Sequence, residues 1–134
     1  MSIVVFLCVA NAARSQMAEG LARAKAPEGW KVYSAGSFPA RLSRRAVSVM
    51  KEIGIDISAQ YSKGMDEVPL DTAYLIVTLC AEEICPIVPG TVKKLHWPLQ
   101  DPSGIQGTEE EELAAFRRTR DEIGRRLPEL WGKK

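Results

Sequence analysis

The chain has 134 residues, of which 46% are hydrophobic and 26% are charged, and its formal net charge is +1. This length is sufficient for one domain with a proper core, and we expect a single domain over residues 1–134. A net charge so close to zero excludes a general attraction to nucleic acid or to an anionic membrane, so we expect neither partner and require any anion site to be local.

The hydrophobic pattern predicts strands that alternate with helices. The predicted strands are 2–8, 30–35, 71–80 and 91–96, and the predicted helices are 15–25, 43–53 and a long one from about Thr108 to Pro128. Such alternation implies an α/β fold with a central four-stranded parallel sheet, flanked by helices and covered on both faces. Ligands of such sheets bind at the carboxyl ends of the strands.

The apolar run at the start of the chain and the acidic run of the last helix argue against a membrane anchor and against a metal site. The apolar run at 3–7 is too short to span a membrane and has no basic leader, which predicts a cytoplasmic protein. The acidic run at 109–112 opens the last helix, as the helix dipole favours, so we interpret it as a solvated helix start and expect no metal site there. Three cysteines, an odd number, predict free or transiently paired thiols in a reducing compartment.

The loop after the first strand carries the strongest functional signal. Its residues are Cys8, Val9, Ala10, Asn11, Ala12, Ala13, Arg14 and Ser15, and a helix begins where the loop ends. Successive backbone N–H groups in such a loop, together with the positive end of the following helix, form a nest for a tetrahedral oxyanion such as phosphate or arsenate. The same field favours the thiolate form of Cys8, which would be a nucleophile beneath the bound anion.

Three other side chains of the loop suit this chemistry. Arg14 can hold two oxyanion oxygens with its planar fork, Ser15 can donate its hydroxyl to the thiolate, and Asn11 can brace the loop with its amide. The alternative is that Cys8 is a buried apolar cysteine at the end of a strand and that Arg14 is solvated.

A second cysteine pair, Cys80 and Cys85, follows the third predicted strand. If the strands are parallel, Cys80 lies at the same edge of the sheet as Cys8. Pro86, Pro89 and Gly90 come next, a composition that favours an irregular, movable segment. The loop at 8–15 favours a redox role for the pair. Two alternatives stay open, a zinc half-site that also uses His96 and a pair of inert buried thiols.

With these residues in place, the chain resembles the low-molecular-weight protein tyrosine phosphatases and the thioredoxin-coupled arsenate reductases of the same fold. The Cys-x5-Arg-Ser loop is common to both branches. The reductase pattern continues in order through Val77-Thr78-Leu79-Cys80, Cys85-Pro86, Val92-Lys93, His96-Trp97 and Asp101-Pro102. The resemblance therefore implies a low-molecular-weight phosphatase-like fold and an arsenate reductase.

The resemblance also implies a mechanism with its substrate and partner. Arsenate would be reduced to arsenite by a Cys8 nucleophile and a Cys8-Cys80-Cys85 disulfide relay, and thioredoxin would supply the electrons. Phosphate and sulfate would be competing oxyanions, no cofactor would be bound, and we expect a monomer. A low-molecular-weight protein tyrosine phosphatase remains the alternative, as does a module that binds the anion without turnover.

Asp101 stands at the position of the family's general acid, where a carboxylate can protonate the leaving oxygen. The alternative for Asp101-Pro102 is an ordinary surface turn. The next residues are Ser103-Gly104-Ile105, whereas phosphatases of this fold usually carry aromatic residues there, which weakens the phosphatase interpretation. The spacing between Cys80 and Cys85 is shorter than in many relatives by a residue or two. We interpret His96 and Trp97 as structural.

Some relatives hold a potassium ion behind the loop. Asn11, Glu19 and Ser34 match their ligand positions, but Lys63 stands where those relatives have an aspartate. The ammonium of Lys63 could replace the ion by pairing with Glu19 and bracing Asn11. The alternative is a surface lysine.

Overall fold

The computed structural model describes residues 2–81, 85–88 and 90–131. Within these residues the regular elements are β1 Ser2–Cys8, α1 Arg14–Lys25, β2 Trp30–Gly36, α2 Arg44–Lys51, β3 Leu75–Thr78, β4 Lys93–His96 and α3 Glu109–Arg126. Short 3-10 turns cover Met65–Glu67, Leu70–Thr72, Pro102–Gly104 and Leu127–Trp131. None of the helices in this part of the chain is long and apolar enough to cross a membrane.

The four strands form one parallel sheet in the order β2-β1-β3-β4. The predicted α/β fold is therefore confirmed. The central strand is β1, and its run Val4–Leu7 is fully buried because neighbours cover both of its faces and both of its edges. Cys8 ends β1 opposite Gly36 of β2, and Leu7 lies opposite Thr78 of β3, so the loop after β1 begins at the carboxyl edge of the sheet.

The two faces of the sheet are covered differently. One face packs against all three α-helices through apolar side chains that include Met17, Val49 and Phe116. The other face is covered by the segment that contains the first two 3-10 turns, with Val68 and Ala73 packed on Val5, Leu7 and Ile76 and joined by Val88. The three α-helices thus lie on one face of the sheet, and the loop at 8–15 leads from the end of β1 to α1 on that face.

The helix ends follow from the sequence. Ser43 accepts a hydrogen bond from the N–H of Ala46 at 3.3 Å and so caps α2. Thr108 accepts from the N–H of Glu111 at 3.1 Å while Glu111 accepts from the N–H of Thr108 at 2.8 Å, which is a reciprocal cap at the start of α3. Pro128 lies in the 3-10 turn that follows α3, as its missing N–H predicts.

The predicted third strand at 71–80 is too long. Leu70–Thr72 forms a 3-10 turn after Pro69, and β3 is limited to Leu75–Thr78. Hydrogen bonds to β1 nevertheless continue beyond both ends of β3. The N–H of Tyr74 donates to the Ile3 carbonyl at 2.8 Å, and the N–H of Leu79 donates to the Leu7 carbonyl at 2.9 Å. The middle of the predicted irregular segment, residues 82–84, and Pro89 lie outside the described residues.

Candidate active site

The loop at 8–15 directs its carbonyl groups outwards. The carbonyls of Val9, Ala10 and Ala12 accept hydrogen bonds of 2.8, 3.0 and 2.9 Å from the N–H groups of residues 38, 40 and 43. Because the C=O and the N–H of one trans peptide group point in opposite directions, this outward anchoring turns the N–H groups of the following residues towards the concave side. The geometry is that of an anion nest at the start of α1.

Gly36 allows the loop to approach β2 closely. A Cβ atom at this position would lie 2.3 Å from the carbonyl oxygen of Val9 and 2.9 Å from the backbone nitrogen of Asn11. No side chain fits there without displacing the loop backbone. The glycine is therefore required by the close contact between the end of β2 and the loop.

Cys8 is a free thiol, 2% exposed, at the bottom of the nest. Its Sγ lies 2.9 Å from the Ser15 Oγ and accepts a hydrogen bond of 3.3 Å from the N–H of Asn11. The Asn11 Nδ2 donates to the Ser15 Oγ at 2.7 Å, so the hydroxyl proton of Ser15 is left to donate to the sulfur. These donors and the amino-terminal end of α1 thus surround the Cys8 sulfur with partial positive charge.

Arg14 reaches across the site from the first turn of α1. Its side chain is 5% exposed, its Nη1 donates to the Leu99 carbonyl at 3.0 Å, and its Nη2 lies 3.8 Å from the Asp101 Oδ2. The other carboxylate oxygen of Asp101 accepts from the N–H of Ser103 at 2.9 Å and caps the turn Pro102–Gly104. Asp101 therefore both closes an Asp-Pro turn and presents a half-exposed carboxyl group opposite Arg14.

The residues behind the loop form a chain of polar contacts. Asn11 Nδ2 donates to the Ser34 Oγ at 3.0 Å, and that hydroxyl donates to the Glu19 Oε1 at 2.5 Å. Lys63 Nζ lies 3.5 Å from the same carboxylate oxygen, and the N–H of Lys63 donates to the Asn11 Oδ1 at 2.8 Å. The four residues named for loop support are thus in one contiguous cluster.

Lys63 is buried, which excludes the alternative of a surface lysine. The residue is 7% exposed, its ammonium donates to the Tyr61 carbonyl at 2.9 Å, and it lies 4.7 Å from the centre of the Tyr61 ring. The second oxygen of Glu19 accepts from Arg23 at 2.9–3.0 Å. Glu19 is therefore paired with two cations that both belong to the chain.

Cys80 and Cys85 form a disulfide bond, with their Cα atoms 5.6 Å apart. In this state neither sulfur is a thiolate that could bind zinc, and His96 is exposed and contacts Thr78 at 2.7 Å instead. Within the described ranges no three His, Cys, Asp or Glu side chains form a group that could hold a metal ion. Trp97 is buried in the core, so its structural role is as expected.

Two elements of the site are absent from the sequence interpretation. Gln16 is fully buried and donates from its Nε2 to the carbonyl and the Oδ1 of Asn11, at 2.9 and 3.0 Å. The Leu99 carbonyl holds Arg14. The signal for Gln16 is its place directly after Arg14-Ser15, where a polar side chain on a buried helix needs partners. A backbone carbonyl contributes no signal of its own.

A free cysteine and a buried arginine lie together in one loop of backbone N–H groups at the carboxyl edge of a parallel sheet, which is the arrangement typical of a phosphatase-type oxyanion site. Residues 3–134 match the family model of the low molecular weight phosphotyrosine protein phosphatases. The chain belongs to this family.

Named relatives are arsenate reductases. The chain is 53% identical over 130 residues to an arsenate reductase of Bacillus subtilis, which covers 96% of this chain and 94% of the relative. Among solved structures, an arsenate reductase in the phosphate binding state superposes with a TM-score of 0.85 at 32% identity over 98% of both chains. A thioredoxin-dependent arsenate reductase of Corynebacterium glutamicum superposes with a TM-score of 0.72 at 29% identity, over 98% of this chain and 61% of that one.

Proposed function

We propose that the protein is an arsenate reductase that uses a disulfide relay and takes its electrons from thioredoxin. The observation that carries this proposal is the Cys80–Cys85 disulfide in a molecule whose Cys8 is free. A phosphatase needs only the residues of the nest and its acid, whereas a reductase must store two electrons in thiols. The names of the relatives support the same conclusion.

The first step takes place in the nest. Arsenate binds to the N–H groups of residues 8–15 and to Arg14, and the Cys8 thiolate attacks arsenic. An arsenic–oxygen bond breaks, and the departing oxygen takes a proton from Asp101 and leaves as water. The product is a Cys8–arsenate adduct in which arsenic is still pentavalent.

The relay then transfers two electrons. The Cys80 thiolate attacks the Cys8 sulfur, the sulfur–arsenic bond breaks, and its electron pair stays on arsenic, which leaves as trivalent arsenite. Cys85 next attacks Cys80, so that the Cys8-Cys80 disulfide is replaced by Cys80–Cys85 and the Cys8 thiolate is released. The structure has the bonding pattern expected after this last exchange.

The two sulfurs of the final disulfide differ in accessibility. Cys80 is fully buried, whereas Cys85 is half-buried. An incoming thiolate must approach a sulfur along the disulfide bond, so exposure decides which sulfur is attacked. We propose that thioredoxin attacks Cys85 and releases Cys80 as a thiol.

The remaining expectations belong to this proposal. We propose that residues 1–134 act as one domain and a cytoplasmic monomer, without nucleic-acid or membrane partners. Phosphate and sulfate compete with arsenate because each is a tetrahedral oxyanion. No bound cofactor is required, since the thioredoxin dithiol supplies both electrons and the three cysteines move them.

A coupled assay tests the proposal. The protein is mixed with thioredoxin, thioredoxin reductase and NADPH, and arsenate or an aryl phosphate is added in parallel. Arsenate-dependent NADPH oxidation that stops without thioredoxin is the expected result. Hydrolysis of the aryl phosphate with no NADPH oxidation on arsenate would make the phosphatase alternative the better one, and anion binding with neither activity would favour a binding module.

A further inference from the structure

We infer that Gln16 is a positioning residue for the oxyanion loop, which holds Asn11 and, through Asn11, aims the Ser15 hydroxyl at Cys8. This role rests on the proposed function, because it concerns the nest in which that reaction starts. Gln16 does not touch the reacting atoms. Its effect passes through one intervening residue.

Asn11 is the residue of the loop that most needs support. Its φ angle of 51° places it in the left-handed region, and no other described non-glycine residue has a positive φ. This conformation is costly for a residue with a Cβ atom unless the surroundings fix it. The same conformation turns the N–H of Asn11 towards the Cys8 sulfur, at 3.3 Å.

Gln16 contacts both the backbone and the side chain of Asn11. Its Nε2 donates to the Asn11 carbonyl at 2.9 Å and to the Asn11 Oδ1 at 3.0 Å. A single amide group that holds both oxygens fixes the side chain of Asn11 relative to its own backbone. The third contact of the same nitrogen, 2.8 Å to the Tyr61 carbonyl, fixes the position of the amide itself.

The orientation of the Gln16 amide is determined by its neighbours. Gln60 Nε2 donates to the Gln16 Oε1 at 2.7 Å, so this oxygen faces Gln60 and the nitrogen faces Asn11. A flipped amide would place its oxygen against three acceptor oxygens and its nitrogen against the Gln60 donor. Gln60 therefore fixes the orientation of the Gln16 amide, and Gln16 fixes the orientation of the Asn11 side chain.

The orientation of Asn11 in turn decides the direction of the serine hydroxyl. With its Oδ1 directed at Gln16 and at the N–H of Lys63, the Asn11 Nδ2 faces the Ser15 Oγ at 2.7 Å. Ser15 accepts this hydrogen bond and so donates its own proton to Cys8, 2.9 Å away. Loss of the Gln16 amide releases one of the two donors that hold this arrangement.

Gln16→Met removes the amide at similar volume and is compatible with folding. Each acceptor that Gln16 contacts keeps a second donor: Ser62 for the Asn11 carbonyl, the Lys63 N–H for the Asn11 Oδ1, and the Lys63 ammonium for the Tyr61 carbonyl. No buried oxygen is left without a partner. The variant thus separates the positioning role from a role in folding.

The oxidised protein offers a test that does not involve arsenate. Two of its three cysteines are joined, so iodoacetamide alkylates Cys8 alone and intact mass reports the rate. Inorganic phosphate slows this reaction when it fills the nest. The measurements are the alkylation rate without phosphate, the phosphate concentration that halves it, and the melting temperature, for the unmodified protein and for Gln16→Met, Gln60→Met and the exposed control Gln106→Met.

We expect the half-protecting phosphate concentration to rise about tenfold in Gln16→Met and about threefold in Gln60→Met, with no change in Gln106→Met. The alkylation rate without phosphate should fall in the same order. Unchanged rate and protection in Gln16→Met overturn the inference, and if that variant does not fold, the same result in Gln60→Met overturns it. Absence of phosphate protection in the unmodified protein refutes the oxyanion site of the proposed function, and the alkylation rates then decide on Gln16.

Discussion

Arg14 and Leu99 are joined by a hydrogen bond of 3.0 Å from the guanidinium Nη1 to the backbone carbonyl. The N–H of Leu99 donates to the Leu79 carbonyl, also at 3.0 Å. Leu99 thus links Arg14 to Leu79, the residue before Cys80, because its carbonyl accepts from Arg14 and its N–H donates to Leu79. The guanidinium can make this contact and still present another nitrogen to an anion, because its donors form a planar fork.

Arg14→Lys should weaken phosphate binding by at least about tenfold, since one ammonium cannot hold the Leu99 carbonyl and two anion oxygens at once. The measurement is phosphate protection of Cys8 against alkylation. Arg125→Lys, at an exposed position of α3, is the matched control. Protection equal to that of the unmodified protein in Arg14→Lys would argue against a nest at 8–15.

Cys85→Ser should release one arsenite per molecule and then stop. Cys8 and Cys80 remain in this variant, so the first two steps proceed and leave a Cys8-Cys80 disulfide. Peptide mapping detects this bond as a covalent link between the loop at 8–15 and the residue after Leu79.

Cys80→Ser is the matched comparison for that experiment. It should release no arsenite, while any hydrolysis of aryl phosphates by Cys8 survives because the nest and Asp101 are unchanged. Sustained thioredoxin-coupled turnover in either variant would mean that Cys80 and Cys85 are ordinary thiols and that the phosphatase interpretation is the better one.

Potassium should leave the melting temperature and activity of the unmodified protein unchanged relative to sodium, because the Lys63 ammonium already lies beside Glu19 at 3.5 Å. Lys63→Asp replaces that cation by a carboxylate and should create a potassium response. At a potassium concentration tenfold above Kd, the variant should gain about 1.4 kcal/mol, or on the order of 4 °C.

Lys93→Asp makes the same charge change at an exposed position of β4 and serves as the control for Lys63→Asp. Neither it nor the unmodified chain should distinguish the two salts. Stabilisation of the unmodified protein by potassium over sodium would refute the idea that Lys63 stands in for the ion.

The ion pairs between Glu52, which follows α2, and two arginines of α3 predict a pH dependence of stability. Hydrogen bonds from Arg117, and secondarily from Arg120, lower the pKa of Glu52 below its ordinary value. A carboxylate with a lowered folded-state pKa stabilises the fold above its unfolded pKa, and that contribution is lost as the pH falls through the folded value. The Tm difference between the unmodified protein and Glu52→Gln should therefore be present at pH 6 and fall towards zero below pH of about 4.

Glu129→Gln, at an exposed position of the last 3-10 turn, is the control for this titration. It should show no comparable change in its Tm difference over the same range. A Glu52→Gln difference that is constant between pH 6 and pH 3 would mean that the pairs with Arg117 and Arg120 contribute nothing to folding.

The sequence predicts the elements that depend on local pattern. The apolar run before Cys8 and the spacing from Cys8 to Arg14 are short-range features, and both the sheet and the loop follow from them. The end of β3 is harder to predict. Apolar residues continue through Leu79, whereas the pairing of β3 with β4 ends at Thr78. Local pattern thus indicates which segments are buried but not where pairing stops.

Long-range contacts of polar groups are not predictable in the same way. Leu99 binds Arg14 through its backbone, so its side chain contributes no signal. Lysine is rarely buried, and the burial of Lys63 is explained only by its spatial proximity to Glu19 and Tyr61. Gln16 likewise finds its partner Gln60 44 residues away in the chain.

The outward hydrogen bonds of the loop have a consequence for its motion. Three carbonyls of the nest bind N–H groups of segment 38–43, which follows β2, and the absence of a Cβ at Gly36 lets the nest lie against the end of β2. The nest and segment 38–43 can separate only when these three hydrogen bonds break, so we expect both to unfold as one cooperative unit. Amide hydrogen exchange at residues 38, 40 and 43, whose N–H groups make these bonds, should accordingly be slower than is typical of an exposed segment.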